Sequence, residues 1–588
     1  GVPVKIATPL SIGPSLFRSM GQVVARYRPG RQGSRCESDQ SNASDCDEDI
    51  GHRDFRPPDV PNAITVLTWN VAAVNNNPFE YWISYKDPSY LDLMQGVEEF
   101  LEDPAEEDVE VSHVFTQSMF EELRSLCAAE GMSGLEELDG SFWSGGELRL
   151  ASRRIITEFI KDKSFGEKRL ISMPDRITNT INVVTRQASE YRPPPACRPS
   201  VINNYVGDLS TKEVWWERWK MFMFQEPLTV RTRTGVDVRR PVQMLQAIKR
   251  DKYPAVTADE ERFSIPLQIL CLAIFDAVIV HFMNKLSPNC SWLVVKRNIC
   301  DRLYCRKHEL TVEILEKRYE LVQIMCLQEV AAIFKDAYVN SDISATHWLA
   351  TPAKLDGNRD QNSLILFRKD AFVAETSNEV TPQIIDHMQK DISLADGDLF
   401  ALDVQSTNGT PHIIVSFHGD TNGLLTMPVV AATHSATQAY WPNHIVILCL
   451  DANVYDGADG RSLDGKKPFV EFLREVQAMG FTTCWGDNPD INRIRTTCSA
   501  RTSLQPQLNK AVRMLDRHRK SDMNPKDIIL YYRHQLMIVP EKDFGGAKQP
   551  NPLKDNTGKL RYKEETVFPM LDFPSDHGIL AAALQSTH

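Results

Sequence analysis

The sequence predicts an α+β fold, an α/β sandwich in which β-sheets are layered with helices. Three observations carry this reading. Strand-length apolar runs recur along the chain, helical stretches lie between several of them, and the composition is that of a soluble globular protein, 42% hydrophobic and 24% charged. With 588 residues, the chain has room for three or more domains, or for one large domain carrying an insertion. A core of that size needs no disulfide or metal staple.

The opening residues, 1–61, are rich in Arg, Ser, Asp, Gly and Pro and include an acidic serine tract at 38–49. Such a stretch buries too little apolar area to offset its ordering entropy, so it reads as a disordered leader. Order begins at 63–71, an alternating β-branched strand that ends in Trp69-Asn70. Asn75-Asn76-Asn77-Pro78 then reads as a turn. From Ser89 the pattern is helical and acidic, 17 acids to 3 bases over 86–150. The sign reverses over 153–252, with 20 bases to 11 acids and with Tyr191, Tyr205, Trp215, Trp216 and Trp219 interspersed. Two readings stand here: bases interleaved with aromatics can hold phosphates and stack on bases of a nucleic acid, or the Trp cluster packs inward and the charges form a solvated face. The apolar run 265–282 approaches membrane-spanning length but carries Gln268, Asp276 and His281. Polar groups are expensive in lipid, so a buried core helix is expected and no stable membrane span. With few strand signals and no repeat, 81–319 reads as a mostly helical insertion into a domain made of 62–80 and 320–588.

After the insertion the strands return. The run 320–330 ends in Gln328-Glu329, 362–368 is apolar, and 412–418 ends in His418. The run 444–453 holds six consecutive apolar residues from Ile445 before stopping at Asp451-Ala452-Asn453, the pattern of a strand buried on both faces. Asp527 opens 525–532, and Ser575-Asp576-His577 opens 574–580. The 12 cysteines form no C-x-x-C pair, and Cys326 and Cys449 sit inside apolar runs. Reduced thiols in an intracellular protein, cytoplasmic or nuclear, are therefore expected. The chain begins at Gly1, which leaves an N-terminal targeting segment unjudged. A formal charge of −12 argues against a general nucleic-acid coat protein.

Together the strand ends supply Asn70, Glu329, His418, Asp451, Asn453, Asp527, Asp576 and His577. Singly, each has a bland reading: Asp-x-Asn is equally an Asx-turn after a strand, and a lone Glu is a solvated turn residue. As a set of acids, amides and histidines without Cys, they suit a hard divalent ion, Mg²⁺ first and Mn²⁺ second, whereas zinc sites normally show more His and Cys.

In this order, Trp69-Asn70, Gln328-Glu329, strand-terminal His418, Asp451-x-Asn453, Asp527 before an apolar pair and Ser575-Asp576-His577 resemble the endonuclease/exonuclease/phosphatase superfamily, the DNase I-like fold, over roughly residues 63–80 and 320–586. The stretches 69–82 and 500–510 look like a poorly characterised plant and protist group. Two departures blur the subfamily: Leu450 stands where Gly usually precedes Asp-x-Asn, and Ile528 follows Asp527 where an aromatic or basic residue is common. The resemblance implies a four-layer sandwich of two mixed β-sheets flanked by helices, with 62–80 and 320–588 as the catalytic domain. It further implies Glu329 as the principal metal carboxylate, helped by Asn70 and Asp576. His577 is then held by Asp527, Asp451 orients or deprotonates the attacking water, Asn453 donates to a phosphate oxygen, and His418 stabilises the charged oxygens.

The expected activity is Mg²⁺-dependent hydrolysis of phosphodiester bonds, in a nuclease acting on nucleic acid. The alternatives are a phosphatase or phosphodiesterase acting on inositol phosphates or phospholipids, and a catalytically idle interaction module. Residues 488–540 carry 10 bases to 4 acids, among them Arg493, Arg495 and Arg501. Arg suits bidentate phosphate contact, which makes this loop the candidate substrate wall, with Arg501 as substrate-binding residue. The other reading is a surface loop whose Asn509 and Lys510 merely pair with acids.

Overall fold

The computed structural model describes residues 54–587 apart from 180–196, 233–234, 357–358, 458–461, 509–510, 518–519 and 545–548. The acidic tract and most of the expected leader, with Tyr191, Asn509 and Lys510, lie outside the described residues.

The strands are β1 (Ile64–Asn70), β2 (Leu228–Thr232), β3 (Gly235–Arg239), β4 (Ile324–Val330), β5 (His347–Ala350), β6 (Asn362–Arg368), β7 (Phe372–Glu379) and β8 (Leu399–Ser406). They continue with β9 (Pro411–His418), β10 (Ile445–Asp451), β11 (Phe481–Thr483), β12 (Asp527–Tyr532), β13 (Leu536–Ile538), β14 (Leu553–Asp555) and β15 (Ile579–Ser586). One sheet runs β13-β15-β1-β4-β6-β5 with β14 on β15, and the other runs β11-β12-β10-β9-β8-β7. Within them β1 pairs parallel with β4 and β9 with β10, while β15, β6, β8 and β12 pair antiparallel with these, so both sheets are mixed.

Side-chain alternation divides each central strand between two cores. In β10, Ile447 and Cys449 meet Val66, Ile324, Cys326 and Ile365 of the facing sheet. Val446, Leu448 and Leu450 point the other way, onto Val429, Val430, Phe472 and Val476 of helices α1 (Thr426–Tyr440) and α2 (Phe469–Ala478). Burial on both faces is why this strand reads as an unbroken apolar run rather than an alternating one. The outer face of the first sheet, with Leu67, Trp69, Met325 and Leu327, packs on the helical remainder of the chain. Helix, sheet, sheet and helix stack in that order, a four-layer sandwich of two mixed sheets flanked by helices.

Between β1 and β4 the chain is mostly helical, with the β2–β3 hairpin as the exception. At its centre lies α3 (Ser264–Leu286), whose residues are buried almost throughout. It is the one described helix long and apolar enough, by length and composition, to cross a membrane, and here it is the core helix of the insertion. Its Asp276 is tolerated because Arg198 Nη1 lies 2.7 Å away and Ser200 Oγ and Trp219 Nε1 donate to it at 2.6 and 2.9 Å. Trp215, Trp216 and Trp219 are 0%, 3% and 0% exposed, so the cluster packs inward and presents no stacking surface. It belongs to the same hydrophobic core as Leu67, Trp69 and Leu327 of the first sheet.

Candidate active site

Register places three strand ends in one row. Asp451, last in β10, pairs with His418, last in β9, on one side and with Asp527, first in β12, on the other. The alternation that sends Cys449 between the sheets sends Asp451 there too, and Asn70 arrives the same way from β1. Asn70 Nδ2 donates to Asp451 Oδ2 at 2.8 Å and to Glu329 Oε1 at 3.0 Å. That amide ties the two sheets together at their ends, bridging two carboxylates as a donor.

Glu329 departs from alternation. Its φ is 55°, and the β4–β6 register shifts between Leu327 and Val330, a bulge of the kind that re-aims a side chain. The turned carboxylate accepts from Ala73 N at 2.7 Å and lies 3.1 Å from His418 Nε2. Asn453 is also left-handed, with φ 48°. Its N donates to Asp451 Oδ1 at 3.2 Å and its Nδ2 to Gly419 O at 3.0 Å. The Asx-turn and the polar strand end are therefore one structure. Such backbone costs about 1–3 kcal/mol per residue and gathers at functional sites.

Two histidines complete the row. His577 Nδ1 lies 2.9 Å from Asp527 Oδ2, which also accepts from Thr496 Oγ1 at 2.6 Å. His418 Nδ1 lies 3.3 Å from Asp398 Oδ1. The Nε2 of each histidine is 3.8 Å from the same oxygen, Asp451 Oδ2. Burial disfavours both imidazolium ions, but Asp527 and Asp451 lift the His577 pKa to about 10. Glu329 and Asp398 likewise carry His418 well above its ordinary 6.5. Burial also works against an ionised Glu329, yet His418 and the hydrogen bonds from Asn70 and Ala73 hold its carboxyl below the usual range.

Among the described residues, acid and histidine ligand atoms within 4.8 Å of one another form two groups, Glu329–His418–Asp451 and Asp451–Asp527–His577. Carboxylates with one imidazole and no thiolate fit a hard divalent cation, so the donor chemistry suits Mg²⁺ or Mn²⁺. Asp576 belongs to neither group, and its Oδ2 accepts from the Tyr81 hydroxyl at 3.2 Å. The site opens into a cleft of 1820 Å³ lined by Glu329, His418, Asp451, Asn453, Asp576 and His577. Asn70 and Asp527, both 0% exposed, stand behind it.

The candidate substrate wall is reached only in part. Arg501 lines the cleft, ion-paired with Glu80 and with its guanidinium 5.4 Å over the Tyr81 ring. Arg493 is 85% exposed, 3.7 Å from Asp490, and Arg495 is held 2.7 Å from Asp456. Each is paired with an acid, Arg493 with one from its own loop and Arg495 with Asp456 from the segment that follows β10.

A family model described as "Domain of unknown function (DUF8234)" matches residues 108–297, within the insertion. No curated protein matches the chain. Solved structures similar to it include Danio rerio TDP2 complexed with single-strand DNA product, at 11% identity over 47% of this chain and 92% of that one, with a TM-score of 0.28. Truncated Caenorhabditis elegans TDP2 is similar at 13% identity over 48% and 91%, with a TM-score of 0.29. An endonuclease/exonuclease/phosphatase from Bacteroides vulgatus is similar at 11% over 49% and 93%, with a TM-score of 0.29. At these scores the fold rests on the sheet order above.

Three residues escaped the sequence reading. Asp398 immediately precedes the buried strand β8, the same pattern that drew attention to Asp527, and that signal was there to be used. Tyr81 and Lys307 had none: both come from the insertion side and reach the cleft only through tertiary packing.

Proposed function

We propose that this chain is a divalent-metal-dependent phosphoesterase hydrolysing phosphodiester bonds, with Mg²⁺ as its cation, Mn²⁺ as a substitute and nucleic acid as its substrate. The observation that carries this reading is the convergence of two histidines, each backed by its own acid, on one oxygen of Asp451. Displacement at phosphorus asks for a base at the attacking water and for positive charge around the phosphoryl oxygens. Asp451 orients and deprotonates the water. His577, fixed at Nδ1 by Asp527, and His418, fixed at Nδ1 by Asp398, present Nε2 to the phosphoryl and leaving oxygens. Asn453 Nδ2 donates to Gly419 O at 3.0 Å and, at 3.4 Å, to Asp451 Oδ2, and it is the second, longer bond that it exchanges for a phosphate oxygen. Glu329, with Asp576 on the cleft beside it, would hold the cation, which when bound neutralises charge on the non-bridging oxygens. Asn70, whose Nδ2 faces Glu329 and Asp451 and whose Oδ1 accepts from Ala72 N, orients these carboxylates. Arg501 at the rim, ion-paired with Glu80, turns its remaining guanidinium donors to a neighbouring phosphate of the chain.

Four of the cleft's cations are committed to acids, while Lys307 and Lys466 line it with no ion pair among the described residues, and this partial commitment favours nucleic acid over inositol polyphosphates. Arg359 lies 3.2 Å from Asp356, Lys520 2.8 Å from Asp516 and Lys526 2.6 Å from Asp522, and Arg501 is paired with Glu80. A headgroup bearing several phosphates needs several uncommitted cations at once, whereas a phosphodiester presents one charge at a time. The test is hydrolysis of bis-p-nitrophenyl phosphate in Mg²⁺ and in EDTA, followed by single- and double-stranded DNA, RNA, poly(A), inositol phosphates and sphingomyelin. Metal-dependent turnover with preference for a polynucleotide is expected. Preference for an inositol phosphate or sphingomyelin refutes the substrate, and absence of any metal-dependent turnover refutes the activity.

A further inference from the structure

Lys307 is the first residue of the helix α4 (Lys307–Tyr319), where the insertion hands the chain back to β4. It is 3% exposed, yet it lines the cleft alongside Glu329, Asp576 and His577. Its Nζ donates to the carbonyl of Pro574, at the head of the Ser575-Asp576-His577 turn. Among the described residues no carboxylate lies within ion-pair distance of it, in contrast to Arg359, Arg501, Lys520 and Lys526 on the same cleft. An ammonium has three donors, and one is spent.

A buried cation without a paired acid is costly to keep. Folding alone gives no reason for one here, because a methionine would fill the same space and bury no charge. Asp576 and Glu329 are close enough to favour its charged form, but burial prevails and brings its pKa down to about 8, still mostly charged at neutral pH. Its unspent donors sit beside the site into which the reaction above places a phosphoryl group.

We propose that Lys307 donates to a non-bridging oxygen of the substrate's phosphoryl group, so that the helical insertion contributes a catalytic residue to the site built by the two sheets. This rests on the phosphoesterase reading and deepens it: the insertion is part of the active site, and an anionic substrate supplies the charge that Lys307 lacks.

The test compares full-length wild type, Lys307→Met and Lys307→Arg in three measurements: melting temperature, kcat and KM on bis-p-nitrophenyl phosphate in saturating Mg²⁺, and binding of fluorescein-labelled dT12 in Ca²⁺. For Lys307→Met the melting temperature should hold or rise, while kcat/KM falls by roughly 10²-fold, mostly in kcat, as when a single charge-stabilising donor is removed. Lys307→Arg should recover part of that loss. Turnover within about twofold of wild type, or a loss that accompanies a lower melting temperature and that Arg does not restore, overturns the proposal, the second result marking Lys307 as a peg for Pro574. If wild type hydrolyses nothing in Mg²⁺ or Mn²⁺, the phosphoesterase reading falls, and dT12 binding decides Lys307 by itself. Binding at least about fivefold weaker in Lys307→Met supports a phosphate contact, and equal binding overturns it.

Discussion

Asp527→Asn tests the histidine couple with the smallest change in shape. Asp527 is 0% exposed, and its Oδ2 takes both His577 Nδ1 and Thr496 Oγ1, while its Oδ1 has no hydrogen-bond partner among the described residues. The amide has two ways to sit. With its oxygen where Oδ2 was, both contacts survive, but the NH₂ is buried where no acceptor waits, an arrangement costing about 1–3 kcal/mol. With its NH₂ there, it donates to His577 Nδ1 and leaves a neutral ring with its proton on Nε2, which still reaches a phosphoryl oxygen but without the positive charge. Either arrangement also removes the charge that favours the imidazolium. The buried amide costs stability rather than rate; the lost charge should lower turnover by roughly 10–10²-fold, and His577→Ala should cost roughly 10²-fold or more. The assay is a double-mutant cycle on bis-p-nitrophenyl phosphate at saturating Mg²⁺, with kcat and KM read separately. Because the two side chains act as a unit, the double variant should be little slower than His577→Ala. Additive losses, or a rise in KM at constant kcat, would refute the assignment.

Activity should vanish in EDTA and return with Mg²⁺ or Mn²⁺, and Mn²⁺ should raise the melting temperature of wild type but not of Glu329→Gln; equal shifts in both would remove Glu329 from the metal site. In the insertion, burial raises the Asp175 pKa from 3.8 to about 6 against the pull of Arg198. The stability this residue contributes is then fully present below 3.8 and is lost as pH rises through about 6. Asp175→Asn should therefore gain melting temperature relative to wild type as pH is raised across that window, and a difference independent of pH would contradict it. Replacing residues 86–315 with a short linker should give an aggregating protein, because it strips the outer face of Leu67, Trp69 and Leu327 from the core it shares with the insertion; a monodisperse, cooperatively melting product would show that the sheets hold alone.

Central strands were legible because burial on both faces writes itself as an unbroken apolar run, and a polar residue at the end of such a run stands out. For that reason β1, β4, β6, β9, β10 and β12 could be read from the sequence. Edge strands could not: β7 is mostly half-exposed, and β11, β13 and β14 have three residues each, too short to show a period. In the site, chain order gave the donors but not their geometry. Glu329 meets His418 through a left-handed residue at a bulge, and no pattern of residue types encodes that φ. The arginines of 488–540 show the opposite failure, where residue type suggested phosphate contact and acids had already paired with all three, Asp490 with Arg493, Asp456 with Arg495 and Glu80 with Arg501. The Trp cluster was ambiguous for a simpler reason: a tryptophan that stacks on a base and one that fills a core have the same letter, and only burial separates them.

What the insertion does follows from where it touches the site. Tyr81 donates to Asp576 at 3.2 Å, so the insertion grips the short turn that carries His577. That turn is also pinned from the sheet side, by Ser575 Oγ donating to Asn70 O at 2.6 Å and Trp69 Nε1 donating to His577 O at 3.0 Å. A histidine on a turn needs such support to stay within the few tenths of an ångström that proton transfer demands. The strand ends fix Asp451 and His418 by register alone, whereas His577 depends on contacts from both sides. Loosening the insertion should therefore act first on His577, slowing turnover before it unfolds the sandwich, and Tyr81→Phe, which removes one hydroxyl from this grip, is the mildest way to see it.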